Sequence, residues 1–162
     1  MIKIRPAQLS DCELLWQWSN APDVRKSSFH SEPIPLDEHK QWFSSKLQDP
    51  DCTIYIVEDE NSEPLGQVRY QVIDKGKAAE VSISISSAVR GKGIAAGALK
   101  MTALKYRNER KVDELHAFIK IENHTSVRAF ERAGYLLQEK CSREGQAAHK
   151  LVLKLPGSNH FA

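Results

Sequence analysis

Cysteine is scarce in this chain, and long apolar runs are absent. The three cysteines, at positions 12, 52 and 141 of 162 residues, are odd in number and widely spaced, which favours neither a disulfide framework nor a zinc site. No apolar stretch reaches the length of a membrane span, and the first residues, MIKIRPAQ, lack the apolar region of a signal peptide. We therefore expect a cytoplasmic protein that uses no metal and has no membrane partner.

An excess of charge of one sign is lacking too. The chain has 23 Lys and Arg against 21 Asp and Glu, which leaves a formal net charge of +2. Because the basic residues are spread along the sequence, we expect no nucleic-acid partner. The length is that of one domain with its own core. We predict a single domain over residues 1–155 and a disordered tail over residues 156–162.

Hydrophobic periodicity predicts an α/β (α+β) fold with a mixed sheet of about seven strands and flanking helices, in the order β-α-α-β-β-β-α-β-α-β-β. The second, third and fourth strands form an antiparallel meander, and the fifth follows a helix, so it should run parallel to the fourth. A parallel pair inside such a sheet is a place where neighbouring strands can separate and admit an extended ligand. The segment Asn20–Pro35, which contains three prolines, is predicted to be an irregular connection.

A basic glycine turn follows the central strand. Val81, Ile83 and Ile85 alternate with serines, as in a strand with two unlike faces. The sequence Arg90-Gly91-Lys92-Gly93-Ile94-Ala95 then leads into a helical pattern. A helix that begins at a glycine turn presents free N–H groups that suit a phosphate. The alternative is a plain surface turn with incidental charges.

Two nucleotide-binding motifs fit this turn poorly. The turn has no Gly-Lys-Ser/Thr, so it is not a P-loop. Residues 91–96 do match the dinucleotide fingerprint G-x-G-x-x-A. However, the acids Asp113 and Glu114 precede the next strand instead of ending it, and the strands upstream form a meander and not a βαβ unit. Dinucleotide binding is therefore disfavoured.

Two segments in a fixed order carry a family resemblance. Arg90, Gly93 and Ala95 match the pattern Arg/Gln-x-x-Gly-x-Gly/Ala. Further on, Asn123 and Gly134 fall at the expected offsets of the segment Asn-x-x-Ser/Ala-x-x-x-Tyr-x-x-x-Gly-Phe. In these segments and in its order of elements, the chain resembles the GCN5-related N-acetyltransferases (GNAT), from Ile2 to about Leu155.

The resemblance implies acetyl-CoA as the co-substrate, held largely by backbone groups. The glycine turn would bind the pyrophosphate, the central strand would pair with the pantetheine arm, and the Asn123 segment would contact pantetheine. The residues implied are Ile85, Ser86, Arg90, Gly91, Lys92, Gly93, Ile94, Ala95, Asn123, Ser126 and Phe130. For Asn123 a plain helix cap is an alternative that is compatible with this role.

Phe130 departs from the family pattern. The family often has a tyrosine there, whose phenol protonates the departing CoA thiolate, and phenylalanine has no proton to give. Tyr135 or Ser126 could serve instead. Alternatively no acid is needed, because a thiol with a pKa of ~8.5 is a fair leaving group. Phe130 also keeps open a non-catalytic domain that only binds acyl-CoA.

Acetyl transfer to an amine requires a base, since a primary amine is mostly protonated at neutral pH. Glu80 is the first candidate, because it begins the central strand on the face of Ser82 and Ser84. His116, at the start of the neighbouring parallel strand, is the second. The alternatives are an exposed strand-end glutamate and a structural histidine. A backbone N–H near Ile85 could stabilise the oxyanion.

The amine acceptor, a small molecule, is expected to meet the segment Asn20–Pro35, the helix that follows it and the last hairpin. Candidate substrate-binding residues there are Arg25, His30, His39 and Trp42, since arginine suits phosphate and tryptophan can stack on a flat ring. Surface ion pairs and core packing are the alternatives. We expect a monomer or a homodimer.

The opening segment also carries a narrower resemblance. Residues 16–25 and the motif His39-x-x-Trp42 look like the branch that acetylates the 4-amino group of nucleotide-linked amino sugars, as in pseudaminic-acid pathways. Enzymes that acetylate protein N-termini, including those of ribosomal proteins, share a similar opening. They are the second candidate.

Overall fold

A computed structural model describes residues 1–155, so the expected tail of residues 156–162 lies outside the described residues. These residues form a seven-stranded mixed sheet with the order β1-β2-β3-β4-β5-β7-β6. The elements are β1 (Ile2–Pro6), α1 (Cys12–Ser19), α2 (Pro22–Ser27), α3 (Leu36–Gln48), β2 (Cys52–Asp59), β3 (Pro64–Ile73), β4 (Ala78–Ile85), α4 (Ile94–Glu109), β5 (Glu114–Lys120), α5 (His124–Arg132), β6 (Leu136–Arg143) and β7 (Gln146–Lys154). No helix in this part of the chain is long and apolar enough to cross a membrane.

The predicted fold class and order of elements are confirmed, with one addition. The segment predicted to be an irregular connection contains the short helix α2, which begins at Pro22. Proline is compatible with the first position of a helix, because the N–H that it lacks has no partner there in any case. A proline in this segment can therefore mark the start of a helix, as Pro22 does, and not only a break in regular structure.

The parallel pair of strands is the feature that creates a cleft. β4 and β5 pair only from Ala78–Glu114 to Glu80–His116. Beyond these pairs, residues 81–85 of β4 have no β5 partner in the described structure, whereas β5 stays paired with β7 as far as Lys120. The two strands therefore separate and leave between them an open wedge, which we call the β4–β5 cleft.

Apolar packing covers both faces of the sheet. On the side of α4 and α5, the core includes the tyrosines Tyr55, Tyr70, Tyr106 and Tyr135, each 1% exposed or less. On the side of α1 and α3, a smaller cluster consists of Leu15, Phe43, Ile54 and Ile56. Because packing on either face holds the sheet, the walls of the cleft are fixed without a ligand.

One buried ion-pair network joins the first strand to α1. Arg5 donates two hydrogen bonds of 2.9 Å to Asp11 and one of 2.8 Å to Glu58. The Asp11 and Glu58 residues are only 7% and 8% exposed. The hydrogen bonds from Arg5 hold the pKa of Asp11 below its usual range. The network therefore stabilises the folded state whenever Asp11 is ionised.

We expect Asp11→Asn to lower the free energy of unfolding at pH 7 by about 1–3 kcal/mol, since it removes charged hydrogen bonds. The pKa of Asp11 is lowered by folding, so its contribution is complete above about pH 4 and is lost as the pH falls through the folded pKa. Urea unfolding over this pH range measures the difference, which should shrink in acid. Glu13→Gln, at an exposed carboxylate of α1, is the control. A difference that does not depend on pH would contradict the account.

Candidate active site

The β4–β5 cleft has a free backbone edge on one wall. The edge of residues 81–85 that faces β5 meets no strand among the described residues. Its N–H and C=O groups are therefore open to a ligand, except for the Ile85 carbonyl oxygen, which accepts a hydrogen bond from Arg90. Five residues of strand extend over about 16 Å. The cleft narrows at the last pair, Glu80 and His116, and it opens towards the glycine turn.

The glycine turn lies at the open end of the cleft. Gly91 and Gly93 have φ values of +80° and +74°, and Gly93 precedes the first turn of α4. No described side chain caps this helix, and its first turn contains no acid. A Cβ at either glycine would meet no described atom within 4 Å, so packing would allow a side chain here. Glycine is required because of the positive φ. The free N–H groups of Ile94 and Ala95 make this turn an anion site.

Arg90 ties the turn to α2. Its Nε donates a 3.0 Å hydrogen bond to the carbonyl oxygen of Ile85, and its Nη1 forms an ion pair with Asp23. Ser86 lies between these residues, and its hydroxyl accepts a 3.4 Å hydrogen bond from the N–H of Ala88. The side chain of Lys92 is exposed. The predicted cofactor residues from Ile85 to Ala95 therefore lie together at the end of β4, whereas Asn123, Ser126 and Phe130 belong to α5 and its cap.

The helix α2 spans the open end of the cleft. Asp23 reaches Arg90 beyond β4, while the carbonyl oxygen of Lys26 accepts a 2.9 Å hydrogen bond from the Nζ of Lys120 at the end of β5. Lys120 is 7% exposed. Sequence reasoning missed this connection, because α2 and Lys120 are far apart along the chain.

The two predicted catalytic residues face each other where the cleft narrows. Glu80 and His116 are direct partners in the parallel ladder, so their side chains lie on the same face of the sheet. Glu80 Oε1 accepts a 2.7 Å hydrogen bond from Arg143, whose guanidinium carbon lies 4.2 Å from the centre of the Phe118 ring. His116 Nε2 lies 2.9 Å from Glu114 Oε1. Arg143 was not foreseen from the sequence.

Trp42 lies on the same face and pairs with a second unforeseen arginine. The Trp42 side chain is 38% exposed, and the guanidinium carbon of Arg69 lies 5.0 Å from its ring centre. Arg69 also donates a 3.3 Å hydrogen bond to the hydroxyl of Ser82, its partner in the ladder between β3 and β4. The sequence did contain a signal for Arg69. Gln67, Arg69 and Gln71 alternate with apolar residues, as the polar residues of β4 do, which places them on the same face of the sheet.

The Arg25 guanidinium is occupied by its own segment. It donates hydrogen bonds of 2.7 and 2.8 Å to the carbonyl oxygens of Ser19 and His30, and one of 3.2 Å to the hydroxyl of Ser28. Burial lowers its pKa. Arg25 thus holds the connection around α2 in shape, and this geometry gives no support to the prediction that it binds an acceptor.

The two predicted acceptor histidines lie in different surroundings, buried for His39 and exposed for His30. His39 is 3% exposed, stacks on Phe43 and has its Nε2 3.0 Å from the carbonyl oxygen of Cys12. Burial lowers its pKa. His39 therefore packs between α1 and α3 and does not face an acceptor. His30 is largely exposed, with its Nε2 3.8 Å from Glu144 at the tip of the β6–β7 hairpin.

Phe130, in the segment after β5, lies in the core and has no proton to donate. Phe130 is 2% exposed and packs edge-on against Tyr135 at 4.9 Å. The Tyr135 hydroxyl is buried with no hydrogen-bond partner among residues 1–155, and burial raises its pKa well above the usual value. Tyr135 is thus a core residue in this structure. Asn123 caps α5 by accepting a 3.3 Å hydrogen bond from the N–H of Ser126.

The described residues contain no group of three or more His, Cys, Asp or Glu side chains that could hold a metal ion. Around the cleft lie the free backbone edge of residues 81–85, the uncapped N–H groups at the start of α4, and the side chains of Glu80, His116 and Arg143. This set can bind an anion at one end and move a proton at the other.

The chain resembles known proteins in sequence and in structure. It is 31% identical to the putative phosphinothricin acetyltransferase YwnH of Bacillus subtilis over 109 residues, and the match spans 65% of this chain and 65% of that protein. The structure resembles spermidine N-acetyltransferase from Vibrio cholerae in complex with CoA and spermine, with a TM-score of 0.82, 20% identity and coverage of 94% and 95% of the two chains.

It also resembles aminoglycoside acetyltransferase AAC(6')-Ib in complex with coenzyme A and kanamycin, with a TM-score of 0.82, 18% identity and coverage of 95% of each chain. At these identities the solved structures show a shared fold. A family model described as an acetyltransferase (GNAT) domain matches residues 2–136, from β1 through the glycine turn to the start of β6. The chain therefore belongs to the GNAT acetyltransferase family.

Proposed function

We propose that this protein is an N-acetyltransferase that moves the acetyl group of acetyl-CoA to a primary amine by direct attack. The observation that carries the proposal is the β4–β5 cleft with an uncapped helix N-terminus at its open end. The pyrophosphate would bind at residues 90–95, and the pantetheine arm would pair with residues 81–85 like an added strand. The thioester would then arrive near Glu80 and His116.

The transfer step uses groups at the narrow end of the cleft. Glu80 accepts a proton from the ammonium form of the acceptor, directly or through one water. The neutral nitrogen then attacks the thioester carbonyl carbon, so that a C–N bond forms and the oxygen becomes an oxyanion. The free-edge N–H nearest the narrow end, at Val81, stabilises this charge. Ile85, the residue expected from the sequence for this role, lies at the open end of the cleft instead.

Collapse of the tetrahedral intermediate breaks the C–S bond and releases the CoA thiolate. The nitrogen gives its remaining extra proton to solvent, and the thiolate takes one proton from solvent, directly or with the Ser126 hydroxyl as a relay, so the protons balance. A thiol with a pKa of ~8.5 leaves without strong assistance. This is compatible with Phe130 at the position where the family often has tyrosine.

The acceptor we propose is the 4-amino group of a nucleotide-linked amino sugar. Trp42 offers an exposed ring for a flat base, and Arg69 and Arg143 lie on the same face as Glu80. A protein N-terminus is the second candidate, because the β6–β7 hairpin meets the segment after α2, where Gln146 Nε2 donates a 2.7 Å hydrogen bond to the carbonyl oxygen of Phe29, and together they could contact a peptide.

Acetyl-CoA-dependent thiol release against a panel of amines tests the function, with mass spectrometry of the products. The panel contains nucleotide-linked 4-amino sugars, free amino sugars, polyamines and short peptides. We expect turnover with the nucleotide-linked sugars. Turnover with peptides alone would assign the protein to N-terminal acetylation. Tight acetyl-CoA binding with no thiol release from any amine would contradict catalysis and favour a binding domain.

We expect Glu80→Gln to lower kcat by about 10²–10⁴-fold, since a positioned base contributes this much, while acetyl-CoA affinity stays unchanged. The loss should diminish at high pH, where more of the free amine is already neutral. Steady-state kinetics across pH measures both effects. The control is Glu139→Gln, at a carboxylate on β6 that is 58% exposed. An unchanged kcat in Glu80→Gln together with a large loss in His116→Gln would transfer the role of base to His116.

We expect Gly93→Ala to weaken acetyl-CoA binding by about tenfold or more, because a side chain at positive φ strains the turn that presents the N–H groups. Isothermal titration calorimetry measures this affinity. Gly76→Ala is the matched control. Gly76 also has positive φ and open space around it, but it lies in the turn before β4. Equal losses in the two variants would mean that Gly93 acts only through folding.

A further inference from the structure

A half-buried arginine on the acceptor face has no carboxylate partner. Among the residues of β3 that share its face of the sheet, Arg69 is the only charged one, and Gln67 and Gln71 flank it. Its contacts are the Trp42 ring at 5.0 Å and the Ser82 hydroxyl at 3.3 Å. No Asp or Glu of residues 1–155 lies within ion-pair distance of its guanidinium. A cation kept from solvent without a counter-charge is costly unless a ligand supplies one.

Burial lowers the pKa of Arg69, and the nearby Glu80 carboxylate, which acts to raise it, offsets this only in part. Arg143 forms an ion pair with Glu80 at 2.7 Å, so the narrow end of the cleft is close to neutral. Ser82, the partner of Arg69, follows Glu80 by two positions on the same face of β4, which separates their backbones by about 7 Å. An acceptor whose amine reaches Glu80 can therefore place a second group beside Arg69.

The surroundings of Arg69 suit the binding of an anion by its planar guanidinium group. The Trp42 ring covers the guanidinium on one side, which orients its N–H groups. Guanidinium N–H groups match the oxygens of phosphate and carboxylate in a bidentate manner. Arg25, which sequence reasoning had assigned to this task, already donates to its own loop.

We infer that Arg69 binds an anionic group of the acceptor, a phosphate or a carboxylate, so that the substrate class is an amine that also bears an acid. This inference rests on the proposed function and narrows it. It separates this protein from an enzyme for polycationic amines, because a second ammonium group beside Arg69 would be repelled. A nucleotide-linked amino sugar and an acidic amino acid both meet the requirement.

Matched acceptor pairs test the inference. One pair is a nucleotide-linked 4-amino sugar and the same amino sugar without the nucleotide diphosphate, and the other is an amino acid and its amide. In the wild type, the acidic member should have the lower KM. In Arg69→Gln its KM should rise about 10- to 100-fold, as expected for the loss of a charged hydrogen-bonded contact, while kcat and the KM of the neutral member stay the same.

Two further variants separate binding from folding. Arg69→Lys keeps the charge without the planar fork and should retain part of the preference. Arg107→Gln, at an exposed arginine of α4, should behave as the wild type. Unchanged acetyl-CoA affinity in Arg69→Gln shows that the cleft is intact. If Arg69→Gln raises the KM only of the nucleotide-linked sugar, Arg69 recognises phosphate. If it raises the KM only of the amino acid, Arg69 recognises carboxylate.

The failure of this inference differs from the failure of the proposed function. Thiol release with neutral amines and acidic amines at equal KM, unaltered in Arg69→Gln, would overturn the inference and leave acetyl transfer intact. If no amine gives thiol release, calorimetric titration with the nucleotide-linked amino sugar and with the amino acid still tests Arg69. Binding that is weakened in Arg69→Gln supports the inference, and no binding of either acid overturns it.

Discussion

The site depends on a parallel ladder of only three residue pairs between β4 and β5. Above the ladder, β3 holds β4 along its full length, from Ala78 to Ile85, and β7 holds β5 as far as Lys120. Each wall of the cleft thus has its own antiparallel partner. The free edge of β4 is exposed without loss of the strand, and a ligand can pair with it without first separating the sheet.

Charge is distributed along the cleft in a consistent order. At its open end, the first N–H groups of α4 are uncapped and Arg90 is paired with Asp23. At its narrow end, Glu80 and Arg143 compensate each other, with His116 alongside. Arg69, covered by Trp42, lies to the side without a carboxylate partner among the described residues. The helix α2 connects the separated ends of β4 and β5 through Asp23 and Lys26.

The features that follow from local pattern were predictable from the sequence. The alternation of residues 81–85, the positive-φ glycines and the helix cap at Asn123 each depend on a few neighbouring residues, and the structure has them where the pattern placed them. The pairing of Glu80 with His116 followed from the parallel crossover. Side-chain roles that depend on distant packing were not predictable. His39 is buried against α1, Arg25 is used by its own segment, and Arg69 meets Trp42 across the gap between α3 and the sheet.

A crystal structure of the protein with acetyl-CoA tests most directly whether the β4–β5 cleft is the cofactor site. The account predicts pantetheine amides hydrogen-bonded to residues 81–85, phosphate oxygens at the N–H groups of residues 91–95, and the thioester carbonyl within reach of Glu80. Acetyl-CoA bound elsewhere, with the free edge of β4 still open to solvent, would contradict it.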